Sequence, residues 1–158
     1  MLLCDSEKLG GIMSNTTVFD IARYILKKYG PMSAMKLQKL VYYSQAWSLV
    51  WDEKPLFDEQ IEAWTNGPVV RELYNEHKGM FLIDKTLLKS KEKHKLNEDQ
   101  KDTINEVLKA YSGKSAQWLS DQTHSEQPWI LAREGLSENE RGGRTITLAS
   151  MAEYYEGL

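Results

Sequence analysis

Apolar and polar positions alternate with a helical period over most of this chain. Val18, Ile21, Ala22, Ile25, Leu26 and Tyr29 recur at three- and four-residue spacing, so they line one face of a helix. Thr17 serves as its N-cap, Asp20 sits in the first turn where the dipole favours an acid, and Gly30-Pro31 ends it. Ser33 caps a second, longer helix over residues 34–51. Projected at about 100° per residue, Leu37, Leu40, Val41, Ser44, Trp47, Ser48 and Trp51 share one face, while Tyr42, Tyr43, Ala46, Leu49 and Val50 cover most of the rest. A helix so apolar all round is buried on several sides, as the central strut of a bundle would be.

Asp52-Glu53-Lys54-Pro55 marks a turn, and Gln60 to Thr65 alternate in the manner of a short extended segment. Proline at a first helical position loses no needed hydrogen bond, so Gly67-Pro68 is expected to open a helix that presents Val70, Leu73, Tyr74 and His77 on one side and ends near Gly79. Residues 84–95 carry Lys85, Lys89, Lys91, Lys93 and Lys95 against little acid and read as a mobile, solvated connector. Asn97 and Gln100 repeat the capping pattern ahead of Ile104, Val107, Leu108 and Tyr111, and Gly113 stops that helix. Shorter helices follow over 116–122, 128–133 and 148–155, with a polar, glycine-containing loop over 134–144. The expected fold is mainly α: a compact single-domain helical bundle around a central buried helix, with at most a short extended segment near 60–65.

Composition narrows the class. At 158 residues, with 41% hydrophobic and 27% charged residues, the chain can bury one sizeable core. Residues 1–13 precede the first structural signal and read as a disordered leader, with Met13 an alternative start, so 14–158 form the single domain. A formal charge of −3 argues against strong sequence-independent attachment to nucleic acid. The single cysteine, Cys4, has no partner for a disulfide or a zinc site, which suits a cytoplasmic protein. Met1-Leu2-Leu3-Cys4 lacks the leader a lipoprotein needs, and nowhere do about 18 apolar residues run together as a membrane span requires.

Candidate chemistry is sparse. Of the three histidines, His94 lies in the lysine run, and His77 falls on an inward stripe where a core role is expected. His124 stands in Thr123-His124-Ser125-Glu126-Gln127-Pro128-Trp129, ahead of a proline-started helix, with Thr123 or Ser125 expected to cap the turn and Trp129 to anchor it. A hydrolase using His124 with Glu126 would need a nucleophile that no serine elbow or cysteine supplies. No pair of histidines has metal-ligand spacing, and no glycine-rich phosphate loop is present, so neither a metal nor a cofactor is expected. A DNA-binding regulator would rest on Lys36 and Lys39, at the start of a helix too apolar to read a groove. The segment 56–74 is the most distinctive: the free N–H groups at Val69 and Val70 are either satisfied within the chain by Asn66 or Glu62, with Trp64 in the core, or form with Trp64 and Arg71 a notch for a partner's carboxylate.

Four ordered motifs carry a family likeness: Lys36-Leu37-Gln38-Lys39-Leu40-Val41-Tyr42-Tyr43, then Leu56-Phe57, then Ala63-Trp64 with Gly67-Pro68-Val69, then Thr123-His124 with Pro128-Trp129. Over about Val18 to Tyr155 the chain resembles the Panacea domain, the SocA-like and GepA-like antitoxin family of bacteria and their phages. The resemblance implies a nearly all-helical, non-enzymatic domain that neutralises a toxin encoded by a neighbouring gene. It also implies, for the SocA-like branch, an adaptor that presents its toxin to a Clp protease. Panacea proteins often carry a further module, whereas this chain reads as the bare domain. The residues expected to meet the partner are Lys36, Lys39, Trp64, Gly67, Pro68, Arg71, His124 and Trp129.

Overall fold

The computed structural model describes residues 15–158, so the expected leader, Cys4 and Met13 lie outside the described residues. Helix α1, Val18–Tyr29, begins at the N-cap expected at Thr17, whose N–H donates to the Asp20 carboxylate at 2.8 Å, and ends at Gly30, whose φ is 78°. Strand β1, Met32–Ser33, leads into α2, Ala34–Trp51, where the Ser33 side chain accepts from the Lys36 N–H. Then come strands β2, Ile61–Trp64, and β3, Gly67–Val70, helix α3, Arg71–His77, strand β4, Leu82–Ile83, and a 3-10 turn at Lys85–Leu88. Helix α4, Glu98–Tyr111, starts with the Asn97–Gln100 capping box. The chain continues through α5, Ala116–His124, α6, Gln127–Ala132, strand β5, Thr145–Ile146, and α7, Leu148–Glu156. Seven α-helices and two small sheets among the described residues make the protein mainly α.

Helix α2 packs against α1, α4, α5, α7 and β3. Two of its buried polar residues, Gln45 and Ser48, serve as hydrogen-bond partners for backbone that has no helix or strand of its own. Gln45 accepts from the Leu56 N–H at 2.7 Å and donates to the Phe57 carbonyl at 2.8 Å. Ser48 donates to the Lys54 carbonyl at 2.7 Å. These bonds let Leu56 and Phe57 sit in the core without orphaned peptide groups.

The strand content exceeds the single extended segment expected near 60–65. Strand β2 pairs antiparallel with β3, Ile61 opposite Val70 and Trp64 opposite Gly67, and on its other side with β5, Ile61 opposite Ile146. Strands β1 and β4 form a separate antiparallel pair. Pro68 therefore does not open a helix. It lies on β3, an edge strand, which tolerates a residue without an N–H, and Val69 and Val70 suit the pleated surface. The helix begins only at Arg71.

The connector over 84–95 also differs from expectation. Its lysines 85, 89, 93 and 95 do reach solvent, but its backbone is tied down. Arg23 donates to the Leu88 and Lys91 carbonyls at 3.2 and 3.1 Å, Asp20 accepts from the His94 N–H at 2.9 Å, and Leu88 is fully buried.

Candidate functional site

The site forms where α2 meets the β2–β3 hairpin. Gln38 behaves as a third strand for Val70: its Oε1 accepts from the Val70 N–H at 2.9 Å and its Nε2 donates to the Val70 carbonyl at 3.3 Å. The expected notch of free N–H groups is thus absent, because Val69 is in the strand and the Val70 N–H is taken. The Gln38 amide also contacts His77 Nε2 at 3.0 Å. Burial lowers the His77 pKa, and the charge of Lys39 lowers it further. Accepting from Gln38 suits the neutral ring that results.

Lys39, one residue on, is 1% exposed, and its Nζ donates to the Pro68 carbonyl at 3.1 Å. Burial pushes the ammonium down to a pKa of about 7. Gly67, with φ of 120°, passes directly over it: a Cβ there would stand 2.6 Å from Lys39 Cε and 3.0 Å from Thr123 Oγ1. Lys39, Gly67 and Pro68 are all buried, so as folded they offer a partner no side-chain surface. Lys36 is half-buried and donates to the Ser112 carbonyl at 2.6 Å, tying α2 to the end of α4. The pair expected to face DNA is therefore not assembled: one lysine is a strut and the other is core.

Trp64 and Arg71 do come together. The Arg71 guanidinium lies 5.2 Å from the centre of the Trp64 ring and binds Glu62 through two nitrogens, Nε at 3.1 Å and Nη2 at 2.8 Å. Trp64 Nε1 donates to the same carboxylate at 2.9 Å. Burial pushes the Glu62 carboxyl up, and the Arg71 and Trp64 donors outweigh it and hold the carboxyl low. Tyr74 meets Trp64 edge-on with centroids 4.8 Å apart. Beside them opens a cavity of about 560 Å³ lined by Trp64, Thr65, Arg71, Tyr74 and the Arg141-Gly142-Gly143 stretch. The loop approaches so closely that a Cβ on Gly143 would lie 2.8 Å from Glu62 Oε1.

The last motif serves the hairpin. His124 stacks on Trp129 at 4.1 Å, and Trp129 Nε1 donates to the Trp64 carbonyl at 2.8 Å. Burial lowers the His124 pKa, with the Lys39 charge adding to it, and His124 Nε2 is buried with no hydrogen-bond partner among the described residues. Helix α6 starts at Gln127 with Pro128 in its first turn, as expected. Neither Thr123 nor Ser125 caps it, however. Their hydroxyls donate back to the Ser120 and Gln122 carbonyls, and the N-cap is Glu126, with no side-chain bond. Glu126 does not orient His124. Its Oε1 accepts from Tyr43 at 2.9 Å and Tyr155 at 2.6 Å, and its Oε2 from Gln122 at 3.1 Å. The His124–Glu126 arrangement that a hydrolase would need is not built.

Three exposed apolar residues in a row follow α3. Met80, Phe81 and Leu82 are 52, 81 and 64% exposed. Their backbone is nonetheless fixed: the Phe81 carbonyl accepts from the Ala34 N–H at 2.8 Å, Met80 N–H donates to His77 at 2.8 Å, and Leu82 pairs with Ser33. An apolar triplet straight after Gly79 was the available signal. Met80 and Met35 also rim a smaller recess of about 210 Å³ that reaches Lys39 and His77 and shares Trp64, Thr65 and Tyr74 with the larger cavity.

A family model described as antitoxin SocA-like, Panacea domain, matches residues 37–130. The matched stretch runs from α2 into α6 and so contains the Lys39–Pro68 contact, the hairpin and the His124–Trp129 stack. No curated protein and no solved structure matches the chain. No helix among the described residues is long and apolar enough to cross a membrane.

Proposed function

The chain belongs to the antitoxin SocA-like, Panacea-domain family, and from that premise we propose that it neutralises a toxin protein by binding it directly. The observation that supports contact as the mode of action is the tip formed by Met80, Phe81 and Leu82. Large apolar side chains left in water on a backbone already held by hydrogen bonds cost little further entropy when a partner covers them. Such preformed apolar anchors at the centre of a contact are where binding energy concentrates.

The test is co-expression with the adjacent open reading frame as the toxin. Wild-type protein restores growth and co-purifies with the toxin. A Phe81→Glu, Leu82→Glu double variant keeps its circular dichroism spectrum and melting temperature but loses both effects. Toxin half-life in a pulse-chase stays unchanged while growth is restored. A neighbouring product that is harmless alone, or a tip variant that still rescues, overturns the reading, and a shortened half-life replaces occlusion with delivery to a protease.

A further inference from the structure

The two recesses share the Trp64–Tyr74 ridge; the larger is lined by Arg71 and Arg141, the smaller reaches the buried Lys39 and His77, and neither has an aspartate or glutamate among its lining residues. In a chain with 23 acidic residues the acid that approaches this lining is Glu62, and its carboxylate is already held by Arg71 and Trp64. The two arginines of the larger recess are also incompletely used. Arg141 has no ion pair or hydrogen bond among the described residues. Arg71, which lines the larger recess, spends Nε and Nη2 on Glu62 and has no partner for Nη1 among the described residues.

We propose that this double recess receives an acidic, extended segment of the toxin, with one carboxylate between Arg71 and Arg141 and the chain crossing the Trp64–Tyr74 ridge toward the Lys39 recess. The inference rests on the antitoxin reading and adds the chemistry of the partner. Paired guanidinium groups present several planar N–H donors to one carboxylate, which a water-filled surface would otherwise leave to solvent. The ridge supplies two aromatic rings, already fixed against each other, as a floor for the crossing chain. Met80 belongs to both the rim of the smaller recess and the apolar tip, so the charged and apolar parts form one continuous contact face. Such an arrangement gives a docking register and a fast, salt-sensitive encounter, with the apolar tip securing the complex.

The experiment uses the full-length protein and the purified neighbouring toxin, with affinities measured at two salt concentrations. Arg141→Glu, which alters an exposed side chain without internal partners, is expected to weaken binding about tenfold or more and to flatten the salt dependence. One Asp→Lys or Glu→Lys variant of the toxin restores affinity for Arg141→Glu. Lys89→Glu makes the same charge change outside the recess and leaves affinity within about twofold. If wild type binds the toxin while Arg141→Glu and the Arg71→Glu, Arg141→Glu double variant bind equally well, the recess proposal fails and the antitoxin reading stands. If Lys89→Glu loses as much as Arg141→Glu, a diffuse field is acting and the proposal fails. If Arg141→Glu instead releases a bound 20-nucleotide single strand with toxin affinity intact, the recess is a nucleic-acid site. If wild type does not bind the toxin at all, the antitoxin reading itself falls.

Discussion

The Nζ of Lys39 lies 3.1 Å from the carbonyl oxygen of Pro68, so a fully buried lysine of the second helix holds the edge strand of the hairpin from beneath. The contact couples a helix to a strand 29 positions away and closes over Gly67, whose bare Cα is what lets the two approach. It is also an expensive contact, because no carboxylate compensates the ammonium.

Stability should therefore depend on pH through Lys39. Its folded pKa is about 7 against an ordinary value of 10.5, so the unfolded chain binds more protons between those limits. Stability rises with pH across that window, and below about 7 the full cost of the buried charge is carried. Lys39→Met removes the charge at the loss of one hydrogen bond. It is expected to stabilise the protein by on the order of 2–4 kcal/mol at pH 6 and by much less at pH 10. Chemical denaturation of both proteins at the two pH values checks this, and an equal difference at both would show that Lys39 does not titrate.

Gly67→Ala should cost about 2–3 kcal/mol. The new Cβ meets Lys39 Cε at 2.6 Å, and φ of 120° is a conformation that L side chains rarely adopt. Combining it with Lys39→Ala separates the two causes: the clash is relieved and the backbone strain persists, so the double variant recovers only part of the loss. Full recovery in denaturation midpoints would mean the strain is negligible.

The helices were legible because caps and period agreed. Thr17 with Asp20, Ser33, and Asn97 with Gln100 each mark a start within the local chain, and the stripes behind them need no distant partner. Pro68 misled because a proline after glycine is as good a helix opener as it is an edge-strand residue. What decides is Gln38, far away in sequence, bonding both peptide groups of Val70. Strands β1, β4 and β5 are two residues each, too short for any period to show. Lys39 follows Lys36 by three residues on the first turns of a helix, the pattern of a solvated face, and only the carbonyl across the hairpin makes it core. Of the candidate site, Trp64 with Arg71 was readable, whereas Arg141 comes to that cavity from a glycine-rich loop that no local signal connects to it.

Asp20 is expected to govern the mobility of the lysine connector. Burial alone would raise its carboxyl, but the Thr17 and His94 backbone N–H groups, the His94 ring and Arg23 hold it below the usual range. The stability this contributes is present above the ordinary carboxylate pKa and is lost as pH falls through the lowered one. Asp20→Asn should cost about 2 kcal/mol and speed tryptic cleavage at Lys89 and Lys93 several-fold relative to the other exposed lysines. Unchanged cleavage there would place the connector's restraint on Arg23 alone.

Glu126 is expected to act as a structural pin of the tyrosine cluster. Its Oε1 is shared by the Tyr43 and Tyr155 hydroxyls, Tyr155 bonds Tyr42 at 3.0 Å, and Tyr43 stacks on Tyr111 at 4.2 Å. Burial, with the carboxylate's charge adding to it, raises both phenols far above their usual range, so they remain donors at any working pH. Glu126→Ala leaves two buried hydroxyls facing a void and should cost about 3 kcal/mol, against about 1.5 kcal/mol for Tyr43→Phe. Because both changes remove the same bond, the double variant should lose clearly less than the sum. Toxin binding by the folded fraction should be unaffected by Tyr43→Phe, since the ring is fully buried in the core. A loss of affinity in that variant, with its stability intact, would move the contact face from the hairpin to the helix end that Glu126 begins.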